Sequence, residues 1–265
     1  MDRVIVCVKP VPDPQVWERL RLDPVTKTLI REGIPSVINP LDKNALEAAL
    51  MIKDAQGAEV VILSMAPPAA QPVLKEALSL GADRAVLLTD QVFAGSDTLA
   101  TSRILAAAIR LLQPFDLICC GNFTLDGSTA QVPSQVAELL GIPNIMHVSH
   151  LELGEDNRLN VTQKIEQGYV RLEAEPPLLL SFTKEANKPR FASFLEILAA
   201  EKRELAVWSN AELKLEEDSI GLKGSPTQMA DLLLSPKGRR GRRLEGSPEE
   251  MARQLADKIY QLGVI

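Results

Sequence analysis

The sequence predicts an α/β protein with a three-layer αβα, Rossmann-like and mostly parallel sheet, an antiparallel extension of that sheet and a C-terminal partner-binding arm. Short apolar runs alternate with segments of helical periodicity from residue 4 to residue 143, which is typical of a parallel sheet covered by helices on both faces. After Pro143 the apolar and polar residues alternate as they do in antiparallel strands. From Lys184 onward the pattern no longer indicates a compact core.

The first half of the chain provides the alternating elements. Each predicted strand is a short apolar run bounded by polar or glycine residues. The predicted strands are 4–8, 58–65, 85–88 and 117–120. The predicted helices begin at Pro40, cover 70–80 and 98–112, and include a segment that ends at Leu140. A short hairpin is predicted from 19–22 and 28–31, around Asp23-Pro24.

The second half predicts an extension of the same sheet and then two less compact regions. The predicted extension strands are 144–153, 158–166 and 169–175, and a further apolar strand follows at 178–182. The expected regions are an α/β nucleotide-binding domain over 1–183, an extended arm over 184–227 and a C-terminal segment over 228–265. A closing helix is predicted over 248–262 with Ser247 as its N-cap, and the basic run 237–243 is interpreted as a solvated loop.

Composition excludes several classes of partner. The net charge is −6 and the pI is about 5.2, so nucleic acid and anionic membranes are not expected as principal partners. Aromatic residues make up only 4% of the chain, which argues against a stacking platform for bases. No apolar run approaches the roughly 20 residues that span a bilayer, and no signal peptide is apparent. Membrane insertion is therefore not expected.

The cysteines and histidines do not suggest a metal or a nucleophile. Cys7, Cys119 and Cys120 lie in apolar runs without Cys-x-x-Cys spacing, as reduced core residues of a cytoplasmic protein do. The chain has only two histidines, His147 and His150. A metal site or a catalytic triad built on histidine is therefore not expected.

A glycine-bearing loop from Gly121 to Val132, between a predicted strand and a predicted helix, is the candidate binding site. Such a loop turns free N–H groups and the positive end of a helix dipole toward an anion. Gly127 leaves space for a phosphate, Ser128 or Thr129 is expected to cap the helix, and both hydroxyls suit phosphate oxygens. Asp126 suits a ribose hydroxyl or a backbone N–H, because its carboxylate repels phosphate. An ordinary connection to a capped helix remains the alternative at this point.

Seven short motifs, together with this loop, relate the chain to a known family. They are Cys7-Val8-Lys9-Pro10-Val11-Pro12-Asp13, Asn39-Pro40-Leu41-Asp42, 45–49, 80–85, 187–191, 221–227 and 245–249. With these motifs in this order, the chain resembles the β subunit of electron-transfer flavoproteins over nearly its whole length. Each motif is weak by itself, and their order and spacing make the resemblance specific.

The resemblance implies a function that depends on the branch of the family. In simple electron carriers the β subunit holds AMP, whereas in the bifurcating branch, which the loop and residues 93–102 resemble, it binds FAD. NADH then delivers a hydride to this flavin, one electron goes to ferredoxin, and the other goes to a second FAD in the α subunit. That flavin serves a dehydrogenase, commonly of the acyl-CoA type. The alternatives are an AMP-holding subunit and, from another class, a nucleotide-sensing α/β module without a redox role.

The resemblance also implies which residues contact the cofactor. The implied adenosine and diphosphate contacts are Cys7, Asn39, Asp42, Met65, Gly121, Asn122, Phe123, Thr124, Leu125, Asp126, Gly127, Ser128, Thr129, Ala130, Gln131 and Val132. At a second helix start, Ser96, Asp97 and Thr98 are hypothesised to reach the flavin or its ribityl chain. Their alternative role is to cap that helix. No catalytic acid or base is expected, because the flavin carries the redox chemistry itself.

A partner loop is implied at 189–200. The family's leucine anchor for the client dehydrogenase aligns with Phe194 or Leu195. The following strip, 199–204, contains Glu201 and Glu204 where the family commonly has lysine-rich runs. This departure suggests a partner surface different from that of a simple acyl-CoA dehydrogenase carrier.

Overall fold

A mostly parallel sheet is the centre of the structure, a computed structural model that describes residues 1–19, 21–22, 29–30, 33–228, 241 and 243–263. The strands are β1 (Arg3–Cys7), β2 (Pro10–Pro12), β3 (Arg21–Leu22), β4 (Leu29–Ile30), β5 (Ser36–Ile38), β6 (Glu59–Met65), β7 (Arg84–Leu88), β8 (Leu117–Gly121), β9 (Asn144–Leu153), β10 (Leu159–Ile165), β11 (Gly168–Ala174), β12 (Leu178–Phe182) and β13 (Ala206–Trp208). The helices are α1 (Pro40–Gln56), α2 (Gln71–Ser79), α3 (Thr98–Leu111), α4 (Val132–Leu140), α5 (Phe194–Glu201), α6 (Asn210–Leu213) and α7 (Pro248–Gln261).

The strand order confirms the predicted fold class. Within the described residues a nine-stranded sheet has the order β11-β10-β9-β12-β8-β1-β6-β7-β13. From β9 to β13 in this order, each strand is parallel to the next one. Strand β10 is antiparallel to both β9 and β11. The antiparallel segment is therefore an extension of the parallel sheet, as predicted.

Helices cover both faces of the sheet. Successive side chains of a strand point to opposite faces, and the strands are apolar on both, so each face must be covered. Val4 and Val6 of β1 lie in a core with the apolar faces of α1 and α2. Ile5, which lies between them in β1, belongs to a second core with α3 and α4. Both faces of β1 are thus removed from water, which explains its continuous apolar sequence.

The start of α4 differs from the prediction. The helix begins at Val132, with Gln131 in the N-cap position and no side-chain capping bond. The capping role predicted for Ser128 or Thr129 is therefore wrong. Ser128 has a φ of 50° and Ala130 a φ of 55°, and such left-handed residues cannot be part of a right-handed helix. Pro133 stands in the first turn and Leu140 ends the helix, as predicted.

The region from 184 to 227 contains structure that sequence periodicity did not indicate. Strand β13 pairs in parallel with β7 and adds an edge to the sheet. The short helices α5 and α6 precede and follow it. A strand of three residues offers too few positions for a period to be read, so its discovery required the tertiary structure.

The hairpin and the closing helix agree with the sequence where the structure describes them, whereas the pairing of β2 with β5 was not predicted. Strands β3 and β4 pair as the predicted hairpin, whose turn over 23–28 lies outside the described residues. Most of the basic run at 237–243 also lies outside them. The chain divides into compact units Met1–Leu232 and Leu233–Ile265. In the second unit, Ser247 and Glu250 form a capping box at the start of α7. None of the helices in the described ranges is long and apolar enough to cross a membrane.

Candidate functional site

The predicted site residues come together at the carboxyl edge of the parallel sheet. Cys7, Met65 and Gly121 end the neighbouring strands β1, β6 and β8. The other predicted residues stand at helix starts or in the connecting loop: Asn39 and Asp42 at α1, Ser96, Asp97 and Thr98 at α3, 122–131 before α4, and Val132 as its first residue. Ligands of open α/β sheets bind at this edge.

A buried carboxylate joins three of these elements. Asp42 is only 4% exposed. Its Oδ2 atom accepts from the backbone N–H of Lys9 at 2.7 Å, and its Oδ1 atom accepts from Asn39 Nδ2 at 3.0 Å and from the Gly121 N–H at 3.1 Å. A Cβ at position 121 would come within 2.2 Å of Asp42 Oδ1. Glycine is therefore required where β8 ends against α1.

Burial and hydrogen bonding act on this carboxylate in opposite directions. Burial raises the pKa of Asp42 to about 7, while the N–H donors of Lys9, Asn39 and Gly121 act to lower it. Each of these donors prefers the ionised form of the carboxylate. The protonation state of Asp42 therefore changes near neutral pH.

Asn39 fixes the first half of the candidate loop. Its Nδ2 atom donates to Phe123 O at 2.9 Å, and its Oδ1 atom accepts from the Leu125 N–H at 3.2 Å. The backbone N–H of Asn39 donates to Lys9 O at 3.1 Å. Asn39 and Asp42 thus use their polar atoms to hold the loop against α1 and β1, which is a positioning role.

The second half of the loop presents backbone donors. In the described part of the chain, no protein acceptor takes a hydrogen bond from the N–H groups of Thr129, Ala130 or Gln131. Ala130 has a left-handed backbone and Gln131 a right-handed one, and such a succession forms a concave anion-binding nest. A left-handed conformation is strained for alanine, and strain of this kind concentrates at functional sites. Ser128 Oγ donates to Thr124 O at 3.0 Å, which supports this shape.

Gly127 is not needed to make the loop fit its own surroundings. A Cβ there would meet Thr124 Oγ1 at 3.5 Å and Lys9 Nζ at 3.9 Å, which are ordinary contacts. Its φ is not in the left-handed region that favours glycine. A requirement for glycine at position 127 would therefore come from a bound ligand and not from contacts within the protein.

Lys9 is a site residue that was not predicted from the sequence. Its Nζ atom lies 2.7 Å from Asp126 Oδ1 and 3.5 Å from Thr124 Oγ1. The side chain remains 42% exposed. Lys9 follows β1 directly, and this position at the carboxyl edge was the signal that could have identified it. The lysine offsets the Asp126 charge and places a cation at the first half of the same loop.

The two helix starts of the site are joined side by side. Thr98 Oγ1 donates to Gln131 Oε1 at 2.9 Å, and Ser102 Oγ donates to Gln135 Oε1 at 3.0 Å. Asp97 caps α3, because its Oδ1 atom accepts from the first-turn N–H groups of Leu99 and Ala100. These bonds hold the N-termini of α3 and α4 next to each other, so their dipoles act on one region.

The segment 219–227 is fastened to the loop before α3. The Gly221 N–H donates to Ser96 Oγ at 3.1 Å, and the Thr227 N–H donates to Asp97 Oδ2 at 3.0 Å. Ser225 Oγ accepts from the Asp97 N–H at 2.8 Å. A Cβ on Gly221, whose φ is 60°, would lie 2.0 Å from Val92 O. The capping function of Asp97 and its hold on this segment are therefore coupled.

A second candidate surface is apolar and exposed. Phe194 and Leu195, the predicted partner residues, are 72% and 75% exposed at the start of α5. Arg190 anchors the preceding segment to α1 through Glu47, with N–O distances of 2.9 and 3.0 Å. Asn187 Nδ2 also donates to Asn44 O at 2.9 Å. The structure thus fixes the base of this segment and exposes its apolar side chains.

The fold defines a three-layer α/β protein, and the loop at the carboxyl edge of its sheet has the backbone shape of an anion-binding nest. The chain belongs to the electron transfer flavoprotein family, among its β subunits: the model of the electron transfer flavoprotein domain matches residues 26–213. Membership in this family favours the two flavoprotein hypotheses, an FAD-binding subunit and an AMP-holding subunit, over a nucleotide-sensing module.

Curated relatives match almost the whole chain. The electron transfer flavoprotein subunit beta of Clostridium acetobutylicum is 43% identical over 258 residues, which cover 97% of this chain and 98% of the relative. The Caffeyl-CoA reductase-Etf complex subunit CarD of Acetobacterium woodii is 40% identical over 265 residues, covering 99% and 100%. The Acryloyl-CoA reductase electron transfer subunit gamma of Anaerotignum propionicum is 39% identical over 270 residues, covering 99% and 100%.

Proposed function

We propose that this chain is the FAD-binding β subunit of an electron-bifurcating electron transfer flavoprotein. The nest at Thr129–Gln131, with free N–H groups beside two joined helix starts, is the observation that carries this proposal. When bound, FAD would accept a hydride from NADH and pass one electron to ferredoxin and one to the FAD of the α subunit. The chain's own residues would bind and orient the cofactor.

The donor set fits the diphosphate of a dinucleotide. The three N–H groups of the nest and the N-terminus of α4 suit its negative charge. Lys9 would add a cation to this region, with Asp126 holding its ammonium group in place. Asn39 and Asp42 would act mainly by keeping the loop in position, because their polar atoms already bind protein groups. Cys7 and Met65 would contribute the edge of the sheet on which the adenosine lies.

We assign Ser96, Asp97 and Thr98 to the flavin and ribityl end. Asp97 would act there by holding the start of α3, since both of its carboxylate oxygens accept backbone N–H groups. Thr98 Oγ1 donates to Gln131 and is 3.4 Å from Gln135 Nε2. Its hydroxyl would therefore fix the relation between the two halves of the site.

The partners follow from the family and from the exposed surface. We propose an α subunit and an acyl-CoA-type dehydrogenase or reductase, since two of the relatives are named for such reductases. Phe194 and Leu195 would contact the dehydrogenase, within an arm over 184–227 that follows the binding domain over 1–183 and returns β13 to the edge of its sheet. The segment 228–265 is proposed as a separate C-terminal region. The three free cysteines suit the cytoplasm.

The test is an anaerobic assay of the complex with its α subunit, NADH, ferredoxin and the acyl-CoA dehydrogenase. Bifurcation couples the two acceptors, so ferredoxin should be reduced only when the acyl-CoA-type acceptor is also present. The alternative is a simple carrier that holds AMP in this chain. Transfer of electrons to the dehydrogenase side without any NADH-driven reduction of ferredoxin would contradict the proposal and favour that carrier.

A further inference from the structure

His147 adopts an unusual backbone conformation in the middle of β9. Its φ is 58°, a left-handed value that is uncommon for a residue with a large side chain. The pairing of β9 with β12 shifts register at this point, between Leu180 and Phe182. As a consequence Ile145 and Val148, which are three residues apart, both face the same core. Such bulges re-aim a side chain and are frequent next to functional sites.

The imidazole is held by Asn122, the second residue of the candidate loop. Asn122 is buried, directly follows β8, and its Nδ2 atom lies 2.9 Å from His147 Nδ1. The other side of the amide is fixed, because Ser181 Oγ lies 3.3 Å from Asn122 Oδ1. Ser181 Oγ also accepts from the backbone N–H of His147 at 3.2 Å. Loop, bulge and β12 are thus joined through one small polar network.

This network determines which ring nitrogen of His147 can donate. The Ser181 hydroxyl has two acceptors within reach, Asn122 Oδ1 at 3.3 Å and the weaker Met146 Sδ at 3.2 Å. With Asn122 Oδ1 turned to this hydroxyl, the NH₂ group of Asn122 faces His147 and donates to Nδ1. A neutral imidazole that accepts at Nδ1 carries its proton at Nε2. The ring is exposed to solvent, so the Nε2–H group is directed away from the network. The strain at position 147 therefore presents one oriented donor.

The position of this donor relates it to the candidate site. Side chains of β12 point alternately to the two faces of the sheet. Leu180 and Phe182 face the first core, whereas Leu179 faces the second core, with α3 and α4. Ser181 therefore lies on the same face as Leu179. Helix α4 packs against both β9 and β12. The network of Asn122 and His147 is therefore on the side of the sheet where the loop ends and α4 begins. Lys9 approaches the same loop at Thr124 and Asp126.

We propose that His147 is a further ligand-contacting residue of this site, whose Nε2–H group donates to an acceptor oxygen of the bound nucleotide. The inference rests on the proposed function only in requiring that a nucleotide binds at 121–132. A phosphate oxygen and a carbonyl oxygen of the flavin ring are both suitable acceptors. Asn122 is a positioning residue for the imidazole, and Ser181 positions Asn122. Backbone strain at His147 is the cost of orienting this donor.

The first test compares nucleotide affinities of variants in the complex with the α subunit. His147→Phe keeps a ring but removes both nitrogens, and His147→Asn favours the left-handed backbone without an imidazole. Each should raise the Kd for FAD about three- to tenfold, the effect of one lost hydrogen bond. His150→Phe is the matched control, because His150 lies three residues further along β9 and pairs with exposed Glu152. It should leave the Kd unchanged.

Titrating FAD and AMP separately distinguishes the two acceptors. If the affinities for FAD and AMP both fall in His147→Phe, the acceptor oxygen is in the AMP moiety. If only the affinity for FAD falls, the acceptor oxygen is in the flavin-bearing part. Unchanged affinity for both nucleotides would overturn the inference. Failure of the wild-type protein to bind either nucleotide would instead overturn the proposed function, and the inference with it.

A second measurement separates contact from a purely structural effect. In imidazole-¹⁵N-labelled complex, the His147 signals can be assigned by their loss in His147→Phe. The free protein should show the Nε2–H form of His147, and adding FAD should move the Nε2 resonance while that of His150 stays in place. Bound FAD without any change at His147 Nε2 would contradict a direct hydrogen bond, even if the variants bind FAD less tightly.

Discussion

The Oδ1 atom of Asp42 and the backbone nitrogen of Gly121 are 3.1 Å apart, and their hydrogen bond joins the start of α1 to the end of β8. The contact requires glycine, because a Cβ on residue 121 would lie 2.2 Å from Asp42 Oδ1 and 2.9 Å from Asp42 N. The loop that begins at Gly121 owes its position to this close approach.

Gly121→Ala should therefore damage both the fold and the site. We expect a loss of roughly 1–3 kcal/mol in the free energy of unfolding, the usual effect of overpacking, together with loss of bound FAD. Gly127→Ala is the matched control, since its Cβ would make only ordinary contacts. It should keep its stability and lose FAD affinity. Denaturant unfolding and FAD content check both expectations, and equal stability losses in the two variants would contradict the account.

Asp42 should make stability depend on pH. Burial raises its pKa to about 7 from 3.8, so the folded state holds this proton more strongly than the unfolded state does. Protonated Asp42 therefore stabilises the folded state. Its contribution to the free energy of unfolding is largest below the unfolded pKa and is lost as the pH rises through the folded pKa. Between pH 5 and pH 8 the loss should be roughly 2–3 kcal/mol.

Asp42→Asn isolates this contribution, because the asparagine does not titrate. The free energy of unfolding of the wild-type protein, minus that of Asp42→Asn, should decrease as the pH rises from 5 to 8. Denaturant unfolding of the nucleotide-free chain at a series of pH values measures this difference. A difference that stays constant or increases with pH would show that Asp42 is not responsible.

Lys9 should contribute to nucleotide affinity through its charge. Lys9→Met removes the cation at the first half of the loop and leaves Asp126 facing the phosphate region without it. We expect the Kd for FAD to rise about tenfold, equivalent to about 1.4 kcal/mol. Lys164→Met is a suitable control, since Lys164 of β10 forms an exposed ion pair with Glu185. If both variants bind FAD as the wild type does, Lys9 has no role in binding.

Leu195 should matter for the client dehydrogenase and not for the cofactor. The side chain is 75% exposed, so Leu195→Ala should leave the stability within about 0.5 kcal/mol of wild type. The KM for the dehydrogenase should rise severalfold, with FAD content unchanged. Leu111→Ala, an exposed leucine at the end of α3, is the control. A normal KM in Leu195→Ala would place the partner contact elsewhere.

The sequence predicted the sheet and its helices because hydrophobic periodicity is a local property. The helices α1 to α4 and the strands other than β2, β5 and β13 follow from residue spacing, and the edge of the sheet that carries the loop follows with them. The α4 start was mispredicted because Ser128 is a good capping residue by type, whereas its left-handed backbone is set by the loop as a whole.

The contacts that shape the site could not be predicted because they join distant parts of the chain. Lys9 reaches Asp126, and Asn122 holds His147. Neither pair is encoded by the spacing within a single element. The attachment of Thr227 to Asp97 likewise depends on how the segment 219–227 returns to α3. Such pairs become visible only when the strand order and the loop conformations are known.

The nucleotide content of the purified complex tests the central claim most directly. The chain should be co-expressed with its α subunit, and FAD and AMP should be quantified per heterodimer after denaturation. Two FAD and no AMP are expected if this chain binds a flavin at the loop 121–132. One FAD together with one AMP would contradict the claim, because this chain would then hold AMP as a simple electron carrier does.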